Sequence, residues 1–122
     1  MLLEFDMRTL GTACAGDFLA VGVGTPQLLQ FNCSSAGLNL TEQAATNNFP
    51  VFYNYSLGPA LTAGIWHHFR IYEIGSDLRI SIDGSEVFHA TMHSVPTADA
   101  RLLSLAGAAE GVAYDNVVLS CP

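Results

Sequence analysis

The chain has 122 residues, half of them hydrophobic, with 11 acidic residues, four arginines and no lysine, for a formal charge of −7. Charged residues are only 12% of it, against roughly 25% in an ordinary soluble domain. The length allows one domain, residues 1–122, with a sizeable core; the charge excludes a nucleic-acid partner, which needs clustered Lys and Arg at phosphates.

The start, Met1-Leu2-Leu3-Glu4-Phe5-Asp6, reaches a charge by position 4 and lacks the basic start and long apolar stretch of a signal peptide. The chain therefore reads as a mature or excised segment. No apolar run approaches the ~20 residues of a membrane-spanning helix. Residues 2–9 alternate, with Leu3, Phe5 and Met7 on one side. Strand signals follow at 17–23, 27–33, a polar 37–42, and 50–57. They continue at 65–74, 77–82, 85–91, 100–106 and 112–120. The punctuation between them is Gly24-Thr25-Pro26, Gly58-Pro59, Gly75-Ser76, Asp83-Gly84 and Pro96. One helical rival, 97–109, is rich in Ala and Leu but is interrupted by Gly107. About ten short strands predict an all-β antiparallel sandwich, a jelly roll.

The central hairpins allow a register. With Gly75-Ser76 as a turn, Ile74 pairs with Asp77, Tyr72 with Arg79 and Arg70 with Ser81. Asp83-Gly84, a two-residue hairpin signal, pairs Ile82 with Ser85 and Ile80 with Val87. Alternation then gathers Ile65, Phe69, Ile71, Leu78, Ile80, Ile82 and Val87 on a core face. The opposite face collects Trp66, His68, Arg70, Tyr72, Arg79 and Phe88, with Ser81 and Glu86. Aromatic and arginine side chains are enriched at interface cores, and aromatic faces stack on sugars. Trp66, His68, Arg70, Tyr72, Arg79 and Phe88 are thus the candidate contact surface; the alternative is that a second sheet or a loop covers them.

The stretch Gly64-Ile65-Trp66-His67-His68-Phe69-Arg70-Ile71 followed by Asp77-Leu78-Arg79-Ile80-Ser81-Ile82-Asp83-Gly84 resembles the laminin G-like and wider concanavalin A-like family. Phe5-Asp6-Met7-Arg8-Thr9 with Gly16-Asp17-Phe18-Leu19-Ala20-Val21 is similar to the opening strands of a laminin G-like module, and Tyr114-Asp115-Asn116-Val117-Val118-Leu119 to the closing strand. The resemblance implies a jelly-roll sandwich. That family spans adhesion modules, lectins and glycosidases, so fold alone assigns no activity.

Of the glycosidase motif Glu-x-Asp-x-x-Glu, only Glu4 and Asp6 are present; Thr9 stands where the acid/base carboxylate belongs. Glu4 and Asp6 are expected on the solvent side of the first strand, and no catalytic residue is assigned. There is no Gly-x-Ser-x-Gly elbow, and the cysteines lack a setting that would activate them. His67 and His68 must point to opposite faces, and His89 and His93 lie ~13 Å apart along an extended strand, so neither pair makes a metal site. No cofactor is assigned. Calcium is the one cation the resemblance brings in, with Asp99, Asp115 and Asn116 as candidate donors in the absence of a dense acidic loop.

Three cysteines remain. With Gly24-Thr25-Pro26 as a turn, Cys33 falls opposite Asp17 or Phe18, near enough to Cys14 for a Cys14–Cys33 disulfide across the hairpin's open end. A Cys33–Cys121 bridge is the alternative. Asn32-Cys33-Ser34, Asn39-Leu40-Thr41 and Asn54-Tyr55-Ser56 all fit the N-glycosylation pattern. Chance would give about one such acceptor in this composition.

Glycans would supply the solubility that charge does not. The expected function is a non-catalytic, secreted recognition or adhesion module binding a glycan or an extracellular protein. Lack of lysine disfavours heparin-like polyanions. A self-assembling subunit of a filament or surface layer is the alternative. A glycoside-active enzyme using Glu4 and Asp6 comes third.

Overall fold

Alternation along residues 2–9 becomes a strand whose odd-numbered side chains are buried and whose even-numbered ones are not. The same arithmetic runs through the rest of the computed structural model, which describes residues 1–11, 16–22, 27–46, 49–94, 103–105 and 111–120. Its strands are β1 (Leu2–Thr9), β2 (Gly16–Val21), β3 (Gln27–Ser34), β4 (Gly37–Thr46) and β5 (Phe49–Gly58). They continue as β6 (His67–Ile74), β7 (Asp77–Ile82), β8 (Ser85–Thr91), β9 (Leu103–Leu105) and β10 (Val112–Ser120). Two five-stranded antiparallel sheets result, in the orders β10-β1-β6-β7-β8 and β5-β4-β3-β2-β9.

Between the sheets lies a single core. The first sheet contributes Leu3, Phe5, Met7, Phe69, Ile71, Leu78 and Ile80; the second contributes Phe18, Leu19, Leu29, Phe31, Leu38 and Leu40. Phe5 stacks on Phe69 at 4.9 Å, and Phe69 meets Phe18 edge-on at 5.8 Å. Phe18 in turn packs against Phe31, so aromatic contacts run from one sheet to the other. Tyr114 of β10 donates its hydroxyl to the Phe18 carbonyl and adds a second tie.

The hairpin registers are as the turns dictate. Ile74 faces Asp77, Tyr72 faces Arg79, and Arg70 faces Ser81. Ile82 faces Ser85 across Asp83-Gly84, both at positive φ, the backbone a two-residue turn demands.

Four expectations need correction or fall elsewhere. A bulge between Ile80 and Ser81 puts Phe88, not Val87, opposite Ile80. An extra residue in one strand turns both bulge neighbours inward, so Phe88 leaves the outer face and packs on the core, meeting Tyr55 edge-on at 5.2 Å. Ile65 is 51% exposed: β6 begins only at His67, after a turn in which Gly64 has a φ of 78°, so strand alternation does not reach it. Cys33 stands opposite Gly16, one residue before the expected Asp17. The helical rival at 97–109 lies mostly outside the described residues, and its 103–105 segment is strand β9.

Candidate functional site

Alternation leaves each sheet an outer face, and the two are chemically unlike. On the first sheet, β1 presents Glu4, Asp6 and Arg8, which lie opposite Arg70, His68 and, across β10, Ala113. His68 is clamped: Nδ1 lies 2.8 Å from Asp6 Oδ1 and Nε2 lies 3.5 Å from Glu4 Oε1. The other Asp6 oxygen accepts the Asn116 amide at 2.7 Å. Asn116 reaches it because β10 carries a bulge there and Asn116 takes a φ of 53°, a left-handed conformation that asparagine tolerates. Hydrogen bonds from Asn116 and His68 hold the Asp6 carboxyl below the usual carboxylate range. The Asp6 hydrogen bond in turn raises His68 above its ordinary value, against the opposing effect of burial.

Around this clamp stand the aromatics. The Arg8 guanidinium lies 5.2 Å from the Trp66 ring centroid, and that of Arg70 lies 5.3 Å from Tyr72. Arg70 also pairs with Glu4 at 3.6 Å. On the neighbouring strands Arg79 and His89 share Asp77, whose carboxyl is lowered chiefly by the His89 hydrogen bond. The fold thus brings Trp66, His68, Arg70, Tyr72 and Arg79 together and excludes Phe88. It adds Arg8, so every arginine among the described residues is on this face.

The second sheet's outer face is built mainly of amides and hydroxyls, with Phe52 exposed opposite Gln43. Asn32 faces Asn39 across β3 and β4, and Asn39 faces Ser56 on β5. In the next row Gln30 faces Thr41, which faces Asn54. Asn32 and Gln30 both donate to Asp17, at 2.9 Å each, and Thr41 donates to Asn54 Oδ1 at 2.9 Å. All three glycosylation acceptors are on this face. Asp17 is its one charged group among the described residues.

Between the sheets at one end sits a polar cluster that the sequence reading did not single out. Glu42 and Gln27 are fully buried and Glu73 nearly so. Glu42 accepts the Ser94 amide at 2.9 Å, the Ser94 hydroxyl, and the Tyr55 hydroxyl at 3.2 Å. Its Oε1 also lies 3.2 Å from His93 Nδ1, and the His93 ring stacks on Tyr53 at 3.6 Å. Burial raises the Glu42 carboxyl, but hydrogen bonds from Ser94 and His93 outweigh it and leave the group below its ordinary value. The same surroundings push Tyr55 up to about 12. Gln27 bridges Glu73 at 3.0 Å and the Ser94 carbonyl at 3.3 Å. The cluster fastens the segment after β8 to both sheets. Strand parity could have found it, since Glu42 shares alternation with Leu38 and Leu40, and Glu73 with Phe69 and Ile71.

His67, on the inner side of β6, sits between Asp83 Oδ2 at 2.8 Å and the Thr62 carbonyl at 3.0 Å. It lines a small apolar pocket with Leu38, Leu57, Pro59 and Val87. Among the described residues, no group of three or more His, Cys, Asp or Glu is placed to hold a metal ion. Of the calcium candidates, Asp99 lies outside the described residues. Asn116 spends its side-chain amide on Asp6, and one Asp115 oxygen accepts the Asn116 N–H at 2.8 Å, which is not a cation cage. Cys33 is fully buried and disulfide-bonded; both candidate partners, Cys14 and Cys121, lie outside the described residues. No helix among the described residues is long and apolar enough to cross a membrane.

No protein-family model matches the chain, and no curated protein matches it in sequence. Solved structures do match in fold. The galectin LEC-6 of Caenorhabditis elegans superposes with a TM-score of 0.64 at 12% identity, over 97% of this chain and 81% of that one. A mouse laminin alpha1 chain fragment, domains LG4-5, gives 0.59 at 15% identity, over 88% of this chain and 28% of that one. The carbohydrate binding module CBM66 of Bacillus subtilis gives 0.59 at 13% identity, over 95% of this chain and 71% of that one. The fold is the concanavalin A-like jelly roll that the hairpin motifs resemble.

Proposed function

We propose that the chain is a non-catalytic recognition module of the extracellular space, binding a glycan or a protein partner through the outer face of its first sheet. One observation carries this reading: three arginines and two solvent-reaching aromatics, Trp66 and Tyr72, gather on one face, while the opposite face has no arginine among its described residues. Trp66 is 47% exposed and lies beside the Arg8 guanidinium, the aromatic-plus-arginine pairing enriched at binding hot spots. The carboxylate clamp on His68 fixes the face before a ligand arrives, which lowers the ordering cost of binding. The carbohydrate binding module among the fold's neighbours supports a saccharide as the ligand. Disulfide bonding at Cys33 supports an oxidising compartment, and the pairing we favour remains Cys14–Cys33.

Catalysis by Glu4 and Asp6 is not part of this reading. A general acid needs a raised carboxyl, and Asp6 is lowered. The test is an array of glycans and matrix proteins probed with the wild-type domain and with Trp66→Ala. Binding lost in the variant supports the reading; equal binding by both would overturn it.

A second reading, a self-assembling subunit, is favoured by one observation: the edge strand β10 exposes Val117, Val118 and Leu119 side by side. In that case the domain sediments as large particles, and Val118→Lys disperses them.

A further inference from the structure

β5 is a second long edge. Among the described residues it pairs only with β4, so one side of a ten-residue strand has no described strand beside it. Phe49 is 74% exposed, Phe52 57% and Val51 38%. An edge that is long, apolar and uncharged is a template for pairing with another chain, which proteins usually blunt with lysine, proline or a bulge. This chain has no lysine, Pro50 guards only the beginning of the strand, and the bulge at Leu57 only its end. Val51 to Ser56 carries no charge at all.

Asn54 stands in the middle of that stretch, exposed, with Ser56 exposed two residues on. The three acceptors differ at the atom that matters, the side-chain nitrogen. In Asn32 it donates to Asp17 at 2.9 Å, and in Asn39 it donates to the Gly37 carbonyl at 3.5 Å. In Asn54 the oxygen is taken by Thr41, from the β4 side. The nitrogen is thereby turned away from β4 and makes no hydrogen bond among the described residues. Asn32 and Asn39 also face each other directly, with Cβ atoms about 5 Å apart, too close for two glycans.

We infer that Asn54 is the glycosylated residue of this chain, and that its sugar caps the β5 edge against pairing with a second copy. In the attachment, Nδ2 forms a bond to C1 of the sugar on a lipid diphosphate donor. The C1–O bond breaks, the lipid diphosphate leaves with the electron pair, and Nδ2 gives up one proton. The inference rests on the extracellular reading, since an exported chain meets the lipid-linked donor on the secretory route.

The chain is expressed behind a secretion leader in insect or mammalian cells, and each acceptor is read by glycopeptide mass. Sugar on Asn54 with Asn32 and Asn39 bare is expected; sugar on Asn32 or Asn39 with Asn54 bare overturns the inference. Asn54→Gln and Ser56→Ala should each lose the whole glycan mass and move from monomer to dimer or larger by light scattering. Ser56→Ala keeps the Thr41–Asn54 hydrogen bond and loses the 3.4 Å one from Gly58 N–H to Ser56 Oγ, whereas Asn54→Gln leaves Ser56 Oγ in place, so association in both variants cannot be put down to one lost contact. If it stays monomeric without sugar, the capping role fails. The same secreted material is applied to the ligand array. A bare Asn54 with retained binding sinks this inference alone, whereas an occupied Asn54 with no ligand sinks the recognition reading instead.

Discussion

The two outer faces come from the same alternating strands, yet they are held in different ways. On the first sheet His68 is gripped by Asp6 and Glu4, Arg70 by Glu4, and Arg79 and His89 by Asp77. On the second sheet the cross-strand neighbours are Asn32 and Asn39, Gln30 and Thr41, and Thr41 and Asn54. Charge can steer and orient a ligand, whereas neutral amides hold a surface in water without attracting one. A chain with few charges has thus concentrated them where a partner would be met.

This contrast can be broken in several ways. The largest effect should come from Glu42→Ala, which strands the Ser94 amide and hydroxyl in the interior and takes the carboxylate partner from Tyr55 and His93. We expect a loss of about 3 kcal/mol in urea denaturation, with both faces failing together. An unchanged midpoint would mean that the inner cluster does not brace the sheets. Next, Arg70→Ala should weaken ligand binding roughly 30-fold, the scale of an interface hot spot, with melting temperature nearly unchanged. Gln30→Ala, on the other face, should leave affinity alone.

A smaller effect concerns pH. His68 is raised above its ordinary 6.5, so its contribution to stability is full below that value and is lost as pH rises through the folded value. Asp6 is lowered from 3.8, so its contribution is present above that value and is lost as pH falls through the folded one. The pair therefore acts best between about 4 and 6.5, and Asp6→Asn should flatten the fall in melting temperature on either side of that window. Parallel profiles for wild type and variant would contradict the clamp. The smallest effect is salt: raising ionic strength should relax the exposed ion pairs of the first face and leave Thr41 and Asn54 untouched. Side-chain NMR signals of His68 and Asn54 would report each.

Much of this was legible in the chain. Asp83-Gly84 and Gly75-Ser76 set two hairpins, and those registers alone put Arg70, Tyr72 and Arg79 on one face. Phe88 was misplaced because a bulge is a one-residue change in pairing that alternation cannot announce. Ile65 was misplaced because a turn, not the strand, holds it. Glu42 and Glu73 are not singled out by sequence for another reason: parity places them among core residues, but nothing local marks the partners that a buried carboxylate needs. A carboxylate is buried only where partners such as Ser94 and Gln27 converge on it, and those partners are 52 and 46 residues away in sequence. Asn116 joined Asp6 from 110 residues away, through another bulge. Local pattern builds the sheets, while long-range polar pairing finishes the site.

The most direct test of the faces uses side chains that belong to only one of them. Trp66 is the chain's sole tryptophan, so its indole N–H is an unambiguous probe of the first face, and the Asn32, Asn39 and Asn54 amides report the second. The strongest ligand from the array is titrated into nitrogen-labelled domain secreted with its glycan in place. The account predicts that the indole and the Arg70 and Arg79 guanidinium signals shift while the three asparagine amides stay in place. Shifts confined to the asparagine amides, with the indole unmoved, would contradict it.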